Sequence, residues 1–423
     1  PINGELGSFY RPDGLLANSK LKWETTISRN FGIDFGFLNN RVNGSLEVYW
    51  NTTKDLLMAV PVDNTTGYSY QFQNFGKTSN RGIELSVNVD VINKGDFRFN
   101  VGAIYNYNRN KLDELPNADQ YLYSSYWGSS SLVPTNDYMF VEGKAIGLVR
   151  GFISEGYYTV DDFNYTNGQY VLKEGVPDIT KALTATYMHP YDLPAGQTAF
   201  PGAAKFRDVD ESGTVDLDDA TCLGEVMPRH TGSFQLNFNY KNFDLSTNFN
   251  WTAGGKVYNV AAMINASGQE FDGIGAQRAS WVADAFKVYN VNAAGDLYAV
   301  TNPDELRALN ANAKYHLPYH QSGITSSEWL ENGSYLRLQT LTLGYTLPKN
   351  WLTKVHVDKI RLYLTATNLF TITGYSGIDP EVNANPTGQS GFYSDLRIFP
   401  TLNMDFGTYP RARTFTFGAN ITF

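Results

Sequence analysis

The feature that most narrows what this chain can become is strict alternation of apolar and polar side chains in segments of about ten residues. Phe97, Phe99, Val101, Ala103, Tyr105 and Tyr107 share one parity, and Arg98, Asn100, Gly102 and Asn106 the other, with Ile104 the exception. Phe234, Leu236, Phe238 and Tyr240 alternate with Gln235, Asn237 and Asn239. After Lys241-Asn242 the pattern resumes at Phe243, Leu245, Phe249 and Trp251 against Asp244, Ser246, Asn248 and Asn250. Two residues between two such runs predict a hairpin. Residues 31–37, 42–50, 83–91, 341–347, 360–370 and 415–423 read the same way, so the chain is all-β with about nine to eleven strands.

The connections alternate in length. Asn39-Asn40, Asn93-Lys94-Gly95, Lys241-Asn242 and residues 348–358 join strands at one rim, whereas 51–82, 108–233, 252–335 and 371–413 belong to the other. Long loops of this kind count against a compact soluble domain. They are the expected asymmetry of an antiparallel transmembrane β-barrel, with short periplasmic turns and long extracellular loops.

The chemistry of the two faces agrees. The polar face is mainly Asn, Ser, Thr, Gly and Gln, which suits a wide hydrated lumen, where a solvent-facing sheet would carry more Lys and Glu. Charged residues make up only 18% of the 423 residues, and aromatics 14%. Phe97, Phe99, Val101, Phe234, Leu236, Phe238, Leu245, Phe249, Phe415, Phe417 and Ile421 are therefore expected to face lipid. Trp50, Tyr345 and Phe370, near strand ends, are expected in the interfacial girdles. The net charge of −9, from 33 basic and 42 acidic residues, has the wrong sign for a nucleic-acid binder. Cys222 is the one cysteine, so the chain has no internal disulfide. The start at Pro1, with neither a basic nor an apolar leader segment, looks internal.

An ordered set of fragments carries a resemblance: Leu21-Lys22-Trp23-Glu24-Thr25-Thr26, Gly32-Ile33-Asp34-Phe35, Asn40-Arg41-Val42, Tyr49-Trp50-Asn51-Thr52-Thr53-Lys54-Asp55-Leu56-Leu57, Asn80-Arg81-Gly82-Ile83-Glu84-Leu85, Gly333-Ser334-Tyr335-Leu336-Arg337-Leu338 and Ala366-Thr367-Asn368-Leu369-Phe370. Together they span nearly the whole chain and resemble the C-terminal half of SusC-like TonB-dependent transporters. The resemblance implies a 22-stranded outer-membrane barrel of Bacteroidota that imports glycan or peptide oligomers with a SusD-like lipoprotein. It also implies TonB acting through an N-terminal part that this sequence does not contain, and an N-terminal half of the barrel to complete the wall.

The best local motif is the acidic stretch 208–219. Asp208, Asp210, Ser212 and Asp216 stand at loop positions one, three, five and nine. Gly213 is at six, where the turn is sharp, and Thr214 offers its carbonyl at seven. That is calcium-loop spacing, with Asp219 at position twelve in place of the bidentate Glu of an EF-hand. Its expected role is structural, ordering an extracellular region at 160–232. Tyr121, Tyr123, Tyr126 and Trp127 cluster in the same long connection and are candidates for ligand or partner contact, since aromatic rings stack on sugars and pack on proteins. Their alternative is loop-to-loop packing. The histidines 189, 230, 316, 320 and 356 are scattered, and His316 with His320 lacks the intervening Glu of a zinc-hydrolase helix. No nucleophile elbow or phosphate loop stands out, so the chain is not read as an enzyme. The competing function is a soluble all-β adhesin or glycan-binding module, which detergent dependence would separate from a transporter.

Overall fold

The computed structural model describes residues 15–423 except 69, 75, 116–119, 126–131, 185–188, 268–278, 318–322, 353–356 and 383–401. Nine long strands form one antiparallel sheet: β1 (Asn30–Phe37), β2 (Val42–Lys54), β3 (Lys77–Lys94), β4 (Phe97–Glu114), β5 (His230–Tyr240), β6 (Phe243–Ala253), β7 (Tyr335–Thr346), β8 (Lys359–Thr373) and β9 (Thr414–Thr422). Each pairs with its sequence neighbour, and Thr25–Ile27 extends the β1 edge along β2. The sheet is an up-and-down meander, and β1 and β9 form no ladder with each other.

Register turns the alternation into two continuous surfaces. Phe99 lies opposite Phe238, which lies opposite Leu245, and Val101 lies opposite Leu236. The rings of Phe99 and Phe238 stack at 4.2 Å and those of Phe234 and Phe249 at 4.6 Å. On the edge strands the same face leaves Phe415, Phe417 and Ile421 more than half exposed, as it does Phe31, Ile33 and Phe37. A sheet that presents this much aromatic and aliphatic surface outward has no packed partner for it among the described residues, and hydrocarbon is the solvent that suits it. Among the described residues, no helix is long and apolar enough to cross a membrane.

The opposite face is built close to the backbone. Tyr49 lies across Gly82 to donate its hydroxyl proton to Asn108 Oδ1 at 3.0 Å. A Cβ at position 82 would stand 2.3 Å from that phenol ring, so glycine is required there. Short turns at one rim use positive φ at Leu38, Asn39, Asn40, Gly95 and Lys241, the conformations that tight β-connections demand. Arg41 laces two of these turns by donating to the Asp90 and Val91 carbonyls.

The other rim is elaborated into packed structure. β3 and β4 run 18 residues each, more than the about 9–11 that a membrane crossing needs, and they carry the wall upward. Short strands in the long connections build a four-stranded sheet in the order Thr221–Glu225, Leu148–Gly151, Tyr138–Val141, Gln120–Tyr123. Two large apolar cores result, beside a small cluster of Val257, Tyr375 and Val382. One centres on Tyr138, Tyr258, Met263 and Trp329, the other on Tyr158, Phe200, Val215 and Ile324. The long connections expected as loops are thus a lobe with its own cores, and the strands adjoining them are longer than the alternation indicates.

Candidate functional sites: the polar wall and the acidic loop

The inner face of the sheet carries a row of small polar residues in register. Asn100, Asn237, Ser246, Thr342, Thr365 and Thr416 stand side by side on β4 to β9. Asn100 donates to Asn88 and Asp90 Oδ1 at 3.0 Å, Ser246 donates to Asn237 at 2.7 Å, and the Thr342 and Thr365 hydroxyls meet at 3.0 Å. Amide and hydroxyl groups bond to each other along the wall and still offer lone pairs and protons to water or solute. Near the short-turn rim this face opens into a groove of about 410 Å³ whose lining includes Asn237, Asn239, Lys241, Ser246 and Lys359. Arg361 holds Asp244 there in a two-pronged ion pair, with contacts of 2.9 and 2.5 Å.

The acidic stretch folds into a tight turn. Glu211 and Gly213 take positive φ, making the sharp turn at positions four and six. Asp208 accepts the Ser212 and Gly213 amides at 3.1 and 2.7 Å, and Asp210 accepts Ser212 N–H at 3.0 Å. That amide bond holds the Asp210 carboxyl below the usual carboxylate range. Asp219, fully buried, reaches back to accept the amides of Val209 at 2.5 Å and Asp216 at 2.8 Å. The loop is anchored by Val215, also fully buried, where Thr214–Val215 pairs in parallel with Asp178–Ile179.

One carboxylate oxygen from each of Asp208, Asp210 and Asp219 lies within 4.8 Å of the others. Three ionised groups that close repel strongly, and a divalent cation between them would relieve the repulsion with the oxygen ligands that calcium prefers. The structure does not bring Asp216 into this trio. Its side chain caps the turn Leu217–Asp219 by accepting Asp218 N–H at 2.8 Å. Ser212 Oγ donates to the Thr214 carbonyl at 3.0 Å, so those two expected oxygens at least converge.

The aromatic candidates separate. Tyr123 is 5% exposed and stacks against Phe140 at 4.8 Å and Tyr138 at 5.5 Å, so its ring is spent on the lobe's core and not offered to a ligand. The cause is its place in Gln120–Tyr123, a strand that pairs with Tyr138–Val141. Tyr121 is half-buried against the same core, and Tyr126 and Trp127 lie outside the described residues. Outward Trp50 and Phe370 stand at the long-loop rim and Tyr345 at the short-turn rim.

Comparison with known proteins agrees with this architecture. Residues 3–369 match the family model described as TonB dependent receptor-like, beta-barrel. The chain is 30% identical to TonB-dependent receptor P3 of Formosa agariphila over 96% of its own length and 35% of that protein's. It is 27% identical to TonB-dependent receptor SusC of Bacteroides thetaiotaomicron over 100% of this chain and 34% of the relative. It thus spans about a third of the curated relatives it matches. Among solved structures, the RagAB peptide transporter superposes with a TM-score of 0.64 at 22% identity, over 96% of this chain and 36% of that one. The two-faced meander, its rim asymmetry and the family match converge: this chain belongs to the TonB-dependent receptor-like β-barrel family and forms part of the wall of an outer-membrane barrel.

Proposed function

We propose that the chain supplies a stretch of barrel wall and extracellular lobe to a TonB-dependent importer of glycan or peptide oligomers that works with a SusD-like surface lipoprotein. The observation that carries the reading is the polar row Asn100–Asn237–Ser246–Thr342–Thr365–Thr416 on the face opposite the hydrocarbon-facing one. A hydrated polar wall behind an apolar exterior is what a wide channel for polar oligomers requires. The test is uptake of labelled oligosaccharides and oligopeptides by cells that have or lack the full-length protein, each with and without TonB. Loss of one oligomer class in both single knockouts is expected. Undiminished uptake of both classes would sink the reading.

We also propose that the acidic loop holds a structural calcium through Asp208, Asp210 and Asp219, with Ser212 and the Thr214 carbonyl completing part of the shell. Asp216 acts as the cap that shapes it. Chelation should then raise protease sensitivity between about residues 160 and 232, and Asp210→Ala should do so without chelator. A loop indifferent to both treatments would leave only an acidic turn.

A further inference from the structure

Two arginines stand at one height on the outer face of the wall, and the backbone of a third, Arg29, lies at the same level. Arg81 on β3 lies directly opposite Arg109 on β4 and, on its other side, opposite Trp50 on β2. Trp50 N–H in turn donates to the Arg29 carbonyl at 3.0 Å. Arg81 shares the parity of Ile83, Leu85 and Val87, and Arg109 that of Tyr105 and Tyr107. Both guanidinium-bearing residues are exposed and outward. Like charges facing each other across an antiparallel pair are destabilising. Among the described residues neither makes an ion pair or a side-chain hydrogen bond, although the rim has carboxylates. Those are engaged elsewhere: Glu114 with Lys77 at 2.8 Å, Asp113 with Lys111 at 3.4 Å, and Glu225 with Arg229 at 2.7 Å.

Height decides what meets them. The outward residues from Phe97 to Tyr107 rise roughly 26 Å, taking about 3.4 Å per residue and a tilt of about 40°, which matches the apolar band of an outer-membrane barrel. Arg109 is the next outward residue above that band, at headgroup level on the side of the long loops. Directly on the membrane side of Arg81, the outer face is hollowed into a groove of about 440 Å³ lined by Val48, Trp50, Ile83 and Tyr107. Arg81 itself lines the groove and Arg109 is its register partner on the next strand, so an apolar groove with a pair of arginines at its upper edge has the complementarity of an anionic amphiphile. Its chain would lie on the aliphatic and aromatic wall. Its phosphate would bridge the two arginines, turning their repulsion into paired charge-assisted hydrogen bonds.

We propose that Arg81 and Arg109, with Arg29 and Trp50 beside them, form a docking site for the phosphate-bearing headgroup of an outer-leaflet lipid. The proposal rests on the outward assignment of this face, so its test separates the two. Full-length protein is reconstituted in phosphatidylcholine vesicles doped with phosphatidic acid, and photoactivatable versions of each lipid, reactive in the headgroup region, are crosslinked to it. Phosphatidic acid should label the peptides carrying Trp50, Arg81 and Arg109 roughly tenfold more than phosphatidylcholine does. Arg81→Gln with Arg109→Gln should abolish that preference, and excess inorganic phosphate should leave it intact. Equal labelling by the two lipids on the wild type, which needs no variant to fold, would overturn the site. So would a preference that survives the double substitution. Displacement by inorganic phosphate would show a free-anion site and overturn the lipid assignment. Labelling by chain-end versions of both lipids along Phe234, Leu236 and Phe238 reports on the face itself, and its absence would overturn the outward assignment on which the proposal rests.

Discussion

Arg337 shows what a single charged side chain does inside this wall. It is 2% exposed and holds Asp379 at 2.5 Å, Glu381 at 3.0 Å and Thr371 Oγ1 at 3.0 Å, and Glu381 is held from its other side by Arg411 at 2.6 Å. Through it the segment after β8 is tied down against β7. Removing one partner of a buried pair costs about 3–5 kcal/mol, so Arg337→Ala should expose residues 374–382 to protease while β7 stays folded; unchanged cleavage there would contradict the network. Asp137 offers a second test. It is fully buried, accepts Ser125 N–H and hydroxyl, and burial pushes its carboxyl up to about 7. An acid whose folded value is raised stabilises the fold fully below its unfolded value of about 4 and loses that contribution as pH rises through about 7. The lobe should therefore resist heat less at pH 8 than at pH 5. Burial raises Glu328 in the same direction, also to about 7, and lowers the buried His316 beside it to about 4, which opposes them, so Asp137→Asn should reduce the slope. A slope untouched by the substitution would reject Asp137 as a source. Neither role was legible in sequence. Arg337 stands in a recognisable motif, but nothing there says that two acids about forty residues later fold back onto it.

The strands were legible because each has two solvents. Lipid on one side and water on the other write period two into every crossing, so the register of β4, β5 and β6 follows from reading Phe, Asn, Phe, Asn. The lobe was not legible, for the opposite reason. Its strands are two to five residues long, as at Leu148–Gly151 and Thr214–Val215, too short to show a period, and their burial comes from partners distant in sequence. Tyr123 illustrates the consequence: an aromatic in a long connection looked available and is core. The acidic loop stood between these cases, since Gly213 and the spaced Asp residues fix a turn locally while the divergence of Asp216 depends on a cap. At this scale the facing assignment is tested by paired substitutions on β5. Arg at Leu236 puts a charge at mid-depth in hydrocarbon and should cost about 2–4 kcal/mol, reducing heat-resistant folded protein on gels. Arg at Asn237 enters the aqueous side and should be tolerated. Equal tolerance would reject the assignment.

For the whole molecule, the sheet has two edges that this chain does not join. β1 with Thr25–Ile27 ends it on one side and β9 on the other. In a bilayer each unpaired N–H and C=O costs several kcal/mol, because no water reaches it. The apolar outer face and the polar inner face make sense only if further strands complete a closed wall around an aqueous interior. That requirement is the central claim, and the direct measurement is insertion of residues 1–423 alone into liposomes beside the full-length protein. Full-length protein should give a protease-resistant, heat-modifiable barrel, and residues 1–423 alone should give neither property. A stable, heat-modifiable closed barrel from residues 1–423 by themselves would contradict the account.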